Sequence, residues 1–145
     1  MLWVKTFFGI LFQTILLSVF LYLPALTFSW SDAFSFLSIH FFITILASAY
    51  LLIVKPASIE ARMNYDSETQ PKEDRLATAL MLSAIIVGLS LAPIDIFHLN
   101  LSSSFDGNVK NTGLGLYIFG MLLVMASMNA NEFAETTVNI QEERG

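Results

Sequence analysis

The chain has no cysteine. That excludes a disulfide framework, a thiolate nucleophile and a thiolate-ligated metal. Charge is also scarce: 13% of the 145 residues are Asp, Glu, Lys or Arg, against about 25% in a soluble globular domain, so lipid is the expected solvent. Seven basic residues face twelve acidic ones for a net charge of −5, which argues against a nucleic-acid partner. Histidine occurs twice, as His40 and His98, too thinly for a metal site of three or four ligands. There is no glycine-rich phosphate loop after a strand, no nucleophile elbow and no pair of carboxylates inside an apolar run. What remains is apolar. Hydrophobic residues make up 55% of the chain, mean hydropathy is +0.67, and thirteen Phe outnumber four Tyr and two Trp. Phe is the aromatic with no polar group to satisfy in hydrocarbon.

A helix needs roughly 20 apolar residues to cross a bilayer core about 30 Å thick. Four runs meet that length. Residues 6–31 and 33–54 are free of charge, and so are 76–94 and 111–131. Backbone amides in lipid must be satisfied within their own segment, so the runs are expected to be helices. The resulting reading is all-α. It is a polytopic membrane protein with a bundle of four transmembrane helices, one domain over 1–145 and spans near 6–29, 33–54, 76–97 and 111–131. A loop follows at 55–75 and a polar tail at 132–145. Lys5 ahead of the first run also fits the start of a signal peptide. The run is longer than the usual hydrophobic region of about 7–15 residues, and Pro24-Ala25-Leu26-Thr27 is a poor cleavage site, so an uncleaved span is expected.

Four crossings place the N-terminus, the 55–75 loop and the tail on one side, with Lys5, Lys55, Arg62, Lys72, Arg75 and Arg144. Lys110 stands alone on the other side. Basic residues near spans mark the cytoplasmic face, so both termini are expected there. A bacterial plasma membrane is the expected location; an endoplasmic-reticulum protein with the same topology would look identical. The Ser29–Asp32 connection is a tight hairpin with Trp30 at interfacial depth.

Small residues recur at four-residue spacing, as Ala84, Gly88 and Ala92 on the third span and Ala126 and Ala130 on the fourth. Such stripes let helices approach closely, and the expectation is contact within the bundle, against the plain alternative that Ala and Gly are common in membrane helices; a further helix partner or a homo-oligomer is the other use. His40, facing Gln13 or Ser18 of the neighbouring span, is expected to be a neutral interhelical hydrogen-bonding residue; an imidazole offers both a donor and an acceptor. Asp95 and His98 share a helix face by their i,i+3 spacing. That pair suits proton transfer or metal binding, although it also suits two wet polar groups at the end of a span. Pro56 closes the second span, and PASIEARM after Lys55 reads as a turn entering an interfacial helix. Glu73 and Asp74 suit a helix N-terminus. Asn100-Leu101-Ser102 is a glycosylation sequon, meaningful only on a secretory lumen. No ion pathway is legible, because the spans carry no acid–base pair.

Several stretches together resemble the isoprenylcysteine carboxyl methyltransferase family of membrane enzymes. The tail MNANEFAETTVNIQEERG is similar to the segment leading into that family's cofactor-binding half, at Asn131, Phe133, Ala134, Gln141, Arg144 and Gly145. PASIEARM resembles the step after its second helix. Lys72 to Leu76 is similar to the lead-in to its next helix, with Glu73 where the family often has Trp. LAPIDIFH, aligned on Asp95, resembles the step leaving the membrane. The landmarks keep the family's order from Lys55 onward.

The resemblance implies a helix bundle that transfers a methyl group from S-adenosylmethionine to a carboxylate or other acceptor on a lipid-like, apolar substrate. It also implies that Gln141, Glu142 and Arg144 border the cofactor. The family's cofactor signature is a Gly-Pro-Tyr step followed by an Arg-His-Pro-x-Tyr step, and neither occurs in these residues. No catalytic residue is therefore carried over, and S-adenosylmethionine is expected in a full-length relative but not on this chain alone. The expectation is the N-terminal transmembrane part of such an enzyme, inactive as 145 residues. The alternative is a noncatalytic membrane scaffold or subunit.

Overall fold

A computed structural model describes residues 1–63, 72–101 and 106–130. Among them every regular element is a helix: α1 Leu2–Ala25, α2 Ser31–Val54, a short α3 Pro56–Met63, α4 Lys72–Ile94, and α5 Gly107–Ala130. A π-helical turn, Asp95–Leu99, continues α4. Four of these helical stretches are long and apolar enough to cross a membrane, at 24, 24, 25 and 24 residues. A 24-residue helix is about 36 Å long, enough to span with some tilt.

The boundaries follow from local chemistry. α1 begins four residues before its charge-free run because Lys5 is a good helix former whose stem can lie along apolar surface. It ends early because Pro24 interrupts the ladder and Leu26 turns left-handed at φ 54°, donating its N–H to Tyr22 O at 3.1 Å and Leu23 O at 3.3 Å. α2 stops at Lys55, whose N–H closes on Leu51 O at 2.7 Å. Pro56 then opens α3, since a proline at a first helical position has no N–H to leave unpaired. Pro93, near the end of α4, likewise has no N–H to donate to the ladder, and the chain runs on into the wider π turn.

Hydroxyls inside the spans are satisfied at home. Thr6 donates to Leu2 O, Thr14 to Ile10 O, Ser18 to Thr14 O, Ser38 to Phe34 O and Thr44 to His40 O, each four residues back and at 2.8–3.0 Å. A polar group bonded to its own helix can face lipid at little cost.

Packing runs in the order α4–α1–α2–α5, with α4 and α5 in the two outer positions and no comparable seam between them. The α1–α2 hairpin carries one core cluster, Leu21, Ala33 and Leu37, flanked by Leu17, Tyr22, Trp30 and Phe36. A second cluster, Leu51, Leu52 and Ile59, joins α2 to α3 and gathers Leu2 from α1 with Met125 and Met128 from α5. Elsewhere the large apolar side chains face outward: Phe12 is 68% exposed, Leu46 69% and Leu116 68%. Outward apolar surface on this scale belongs to a chain whose solvent is hydrocarbon.

The two ends of the molecule are distinct. At one end lie the start of α1, all of α3 and the end of α5; Ser58 Oγ donates to Met128 O at 3.1 Å, and Thr6 Oγ1 is 3.7 Å from Met63 Sδ. At the other end Lys110 pairs with Asp32 at 2.7 Å, Trp30 meets Phe97 edge-on at 5.3 Å, and His98 reaches Pro24.

The small-residue stripes do not pack where the sequence suggests. Ala84, Gly88, Ala92, Ala126 and Ala130 are all exposed, and nothing lies within 4 Å of a Cβ placed on Gly88. The face of α4 turned toward α1 carries Leu89 and Pro93 instead, both at least half-buried, with Pro93 fully so. Spacing identifies a face as smooth; it does not say which neighbour the face meets.

Candidate functional site

The polar centre of the described fold is His40. It lies in the first half of α2 with 3% of its surface exposed, so its ring is enclosed by protein at membrane depth. Its partner is neither Gln13 nor Ser18. Gln13 points outward from α1, Ser18 is bonded to its own helix, and His40 Nδ1 instead meets the Tyr117 hydroxyl of α5 in a short hydrogen bond. Phe36, one turn earlier on α2, packs edge-on against the Tyr117 ring at 4.9 Å and stacks beside the imidazole at 6.4 Å. The i,i+4 spacing of Phe36 and His40 puts both on the face that α5 covers.

Two proton arrangements satisfy this bond. The phenol donates to Nδ1 and Nε2 carries the ring proton, or Nδ1–H donates to the phenol oxygen and Nε2 is a free acceptor. In either case Nε2 has no partner among the described residues. Among the described residues this imidazole–phenol bond joins α2 to α5, an interhelical tie. Tyr117 was legible only as a lone hydroxyl-bearing aromatic in an apolar run, a residue that usually finds a partner when buried.

Asp95 and His98 go separate ways. In the π turn Asp95 Oδ1 accepts the Leu101 N–H at 2.8 Å, while His98 Nε2 donates to Pro24 O at 2.7 Å. The first closes the end of the α4 span. The second satisfies one of the carbonyls that the end of α1 leaves without an intrahelical donor. Neither side chain faces the other as an acid–base pair, and no group of three or more His, Asp or Glu able to hold a metal exists among the described residues.

Gln141, Glu142 and Arg144, the residues expected to border a cofactor, lie outside the described residues, as do Asn131, Phe133 and Ala134. S-adenosylmethionine is a charged sulfonium carrying an adenine and an amino-acid head, and it needs several convergent polar groups. A hollow of about 490 Å³ on α1 is lined by Ile15, Ser18, Val19, Tyr22, Leu23, Leu26, Thr27 and Phe28. Its walls are almost wholly apolar, and Ser18 is already bonded to Thr14 O. It also sits toward the Asp32–Lys110 end, away from Met128, where the tail departs. That hollow does not fit the cofactor.

Comparison with protein-family models, curated proteins and solved structures finds no match for this chain. The functional reading therefore rests on the residues and their placement.

Proposed function

We propose that this chain forms the transmembrane part of an S-adenosylmethionine-dependent methyltransferase of the isoprenylcysteine carboxyl methyltransferase kind, acting on a lipid-like substrate that carries a carboxylate. Its basic end faces the cytoplasm of a bacterial plasma membrane, with both termini on that side. The observation that supports this reading best is the bond from Ser58 Oγ to Met128 O. It brings the PASIEARM helix, one family-like landmark, against the last turn of α5, the helix that precedes the tail bearing Gln141, Glu142 and Arg144 in sequence. The spans supply an apolar wall from which a lipid-like substrate approaches that end. No step through the cofactor is derived from the described residues.

The test is methyl transfer from radiolabelled S-adenosylmethionine to an apolar carboxylate, measured in membranes that carry the protein as its source makes it, beside membranes that carry these 145 residues alone. Transfer by the native product and none by the 145 residues is the expected result. Transfer by the 145 residues alone, or none by a native product several kilodaltons heavier than 16.2 kDa, would overturn the proposal.

The second reading is a noncatalytic scaffold or subunit that recruits another membrane protein. It is favoured by the exposed Ala84–Gly88–Ala92 stripe with its open space at Gly88. On that reading Gly88→Leu dissociates a co-purifying protein while leaving the chain folded; a native chain of about 16.2 kDa that co-purifies with nothing counts against it.

A further inference from the structure

Gln13 is a polar side chain that the fold leaves facing lipid. It stands near the midpoint of α1, Leu2–Ala25, about 17 Å from either end of the helix and so close to the bilayer centre. Its side chain is exposed, and among the described residues it makes no hydrogen bond. The hydroxyls of Thr6, Thr14 and Ser18 on the same helix are bonded to carbonyls four residues back. The primary amide of Gln13 carries two donors and an acceptor. Lipid tails offer no match for any of them, and an unpaired amide in hydrocarbon is unfavourable.

We propose that α1 pairs with α1 of a second copy of this chain, through a Gln13–Gln13 amide contact at the membrane centre. Three features select a second copy. Copies inserted in one membrane run in the same direction, so a two-fold axis along the membrane normal sets residue 13 opposite residue 13 at equal depth. An amide is its own complement, because each donates to the carbonyl of the other. Gly9 lies one turn earlier on the same face, and nothing is within 4 Å of a Cβ placed there, so the two backbones can come close. Leu16, 42% exposed, and Phe20 continue that face as apolar contact.

The absence of cysteine makes the test clean. Leu16→Cys places one thiol beside the contact. Ile15→Cys places one at the same depth but on the opposite side of the helix from Gln13, where Ile15 is 55% exposed. Oxidation of the full chain in membranes should convert Leu16→Cys to a species of twice 16.2 kDa and leave Ile15→Cys largely monomeric. Adding Gln13→Leu to Leu16→Cys should lower the cross-linked yield roughly tenfold, whereas Gln13→Asn, which keeps the amide, should retain most of it. Circular dichroism checks that each variant is still helical. Equal cross-linking from both positions overturns the proposal. So does a yield unchanged by Gln13→Leu, or a cross-linked mass that reveals a different protein as the partner.

Discussion

Replacing Tyr117 by Phe is expected to loosen α5 from the hairpin and to destabilise the folded chain by about 1–2 kcal/mol, more than an average interhelical hydrogen bond in lipid contributes. The reason is an asymmetry. Phe keeps the ring that packs against Phe36, so the change removes one hydroxyl and little else. That hydroxyl is the only partner His40 has in a side chain among the described residues, because Nε2 is already unpaired. The variant therefore leaves a buried imidazole with both nitrogens unsatisfied, which costs more than the lost bond alone. None of the α5 residues is fully buried, and its apolar packing includes Met125 and Met128 against the Leu51 cluster. Its remaining polar ties are the exposed Lys110–Asp32 pair, worth at most about 1 kcal/mol in such a setting, and the bond from Ser58 to Met128 O. A denaturation series in detergent for wild type, Tyr117→Phe, His40→Leu and the double variant measures this. The double variant should be less destabilised than Tyr117→Phe. Wild-type stability in Tyr117→Phe would show that the bond does not hold α5.

Leu51→Ala is expected to lower stability by about 2 kcal/mol, toward the low end of the range for a buried leucine. In water the loss combines a transfer contribution with a cavity contribution. A helix released into lipid stays in apolar surroundings, so the transfer part shrinks and the unfilled cavity dominates. Leu51 is 2% exposed and sits where α2 turns into α3, in the cluster that also gathers Leu2, Met125 and Met128. A cavity there loosens contacts to three helices at once. Leu46→Ala, on the same helix but 69% exposed, is the control and should change stability by only a few tenths of a kcal/mol. Similar losses from both substitutions, read by the same denaturation assay, would mean that the Leu51 cluster contributes no packing energy.

Both effects depend on features that one-dimensional patterning does not carry. The charge-free runs were long enough that no other structure could satisfy their backbones in lipid, and the helices stand where those runs are. Helix ends were less legible. α1 starts at Leu2, ahead of the first charge, and stops at Ala25, short of the next polar cluster, because a snorkelling Lys5 and the Pro24–Leu26 turn act more locally than hydropathy. PASIEARM was readable as a turn entering a helix, and in the fold the helix takes up the whole stretch from Pro56 to Met63. Its role was not readable, because the tie from Ser58 spans seventy positions to a backbone carbonyl, which leaves no mark in residue type.

The candidate site shows the same division. His40 was visible as a lone imidazole in an apolar run that needed a partner, and the sequence offered the neighbouring helix. The partner came from α5, seventy-seven residues away, because α5 packs on α2 while α1 turns Gln13 outward. Asp95 and His98 were visible as an i,i+3 pair. The π turn and the end of α1 gave each its own backbone partner.

The sequence by itself determined the solvent, the number of spans and the class of structure, because the need to satisfy backbone polar groups in hydrocarbon acts on each segment alone. Only the tertiary structure decided the order α4–α1–α2–α5, the outward turn of the small-residue stripes, and which polar side chains found partners. Between helices in lipid, tail and side chain are almost equally apolar, so the choice of neighbour falls to shape and to a few hydrogen bonds between residues far apart in the chain.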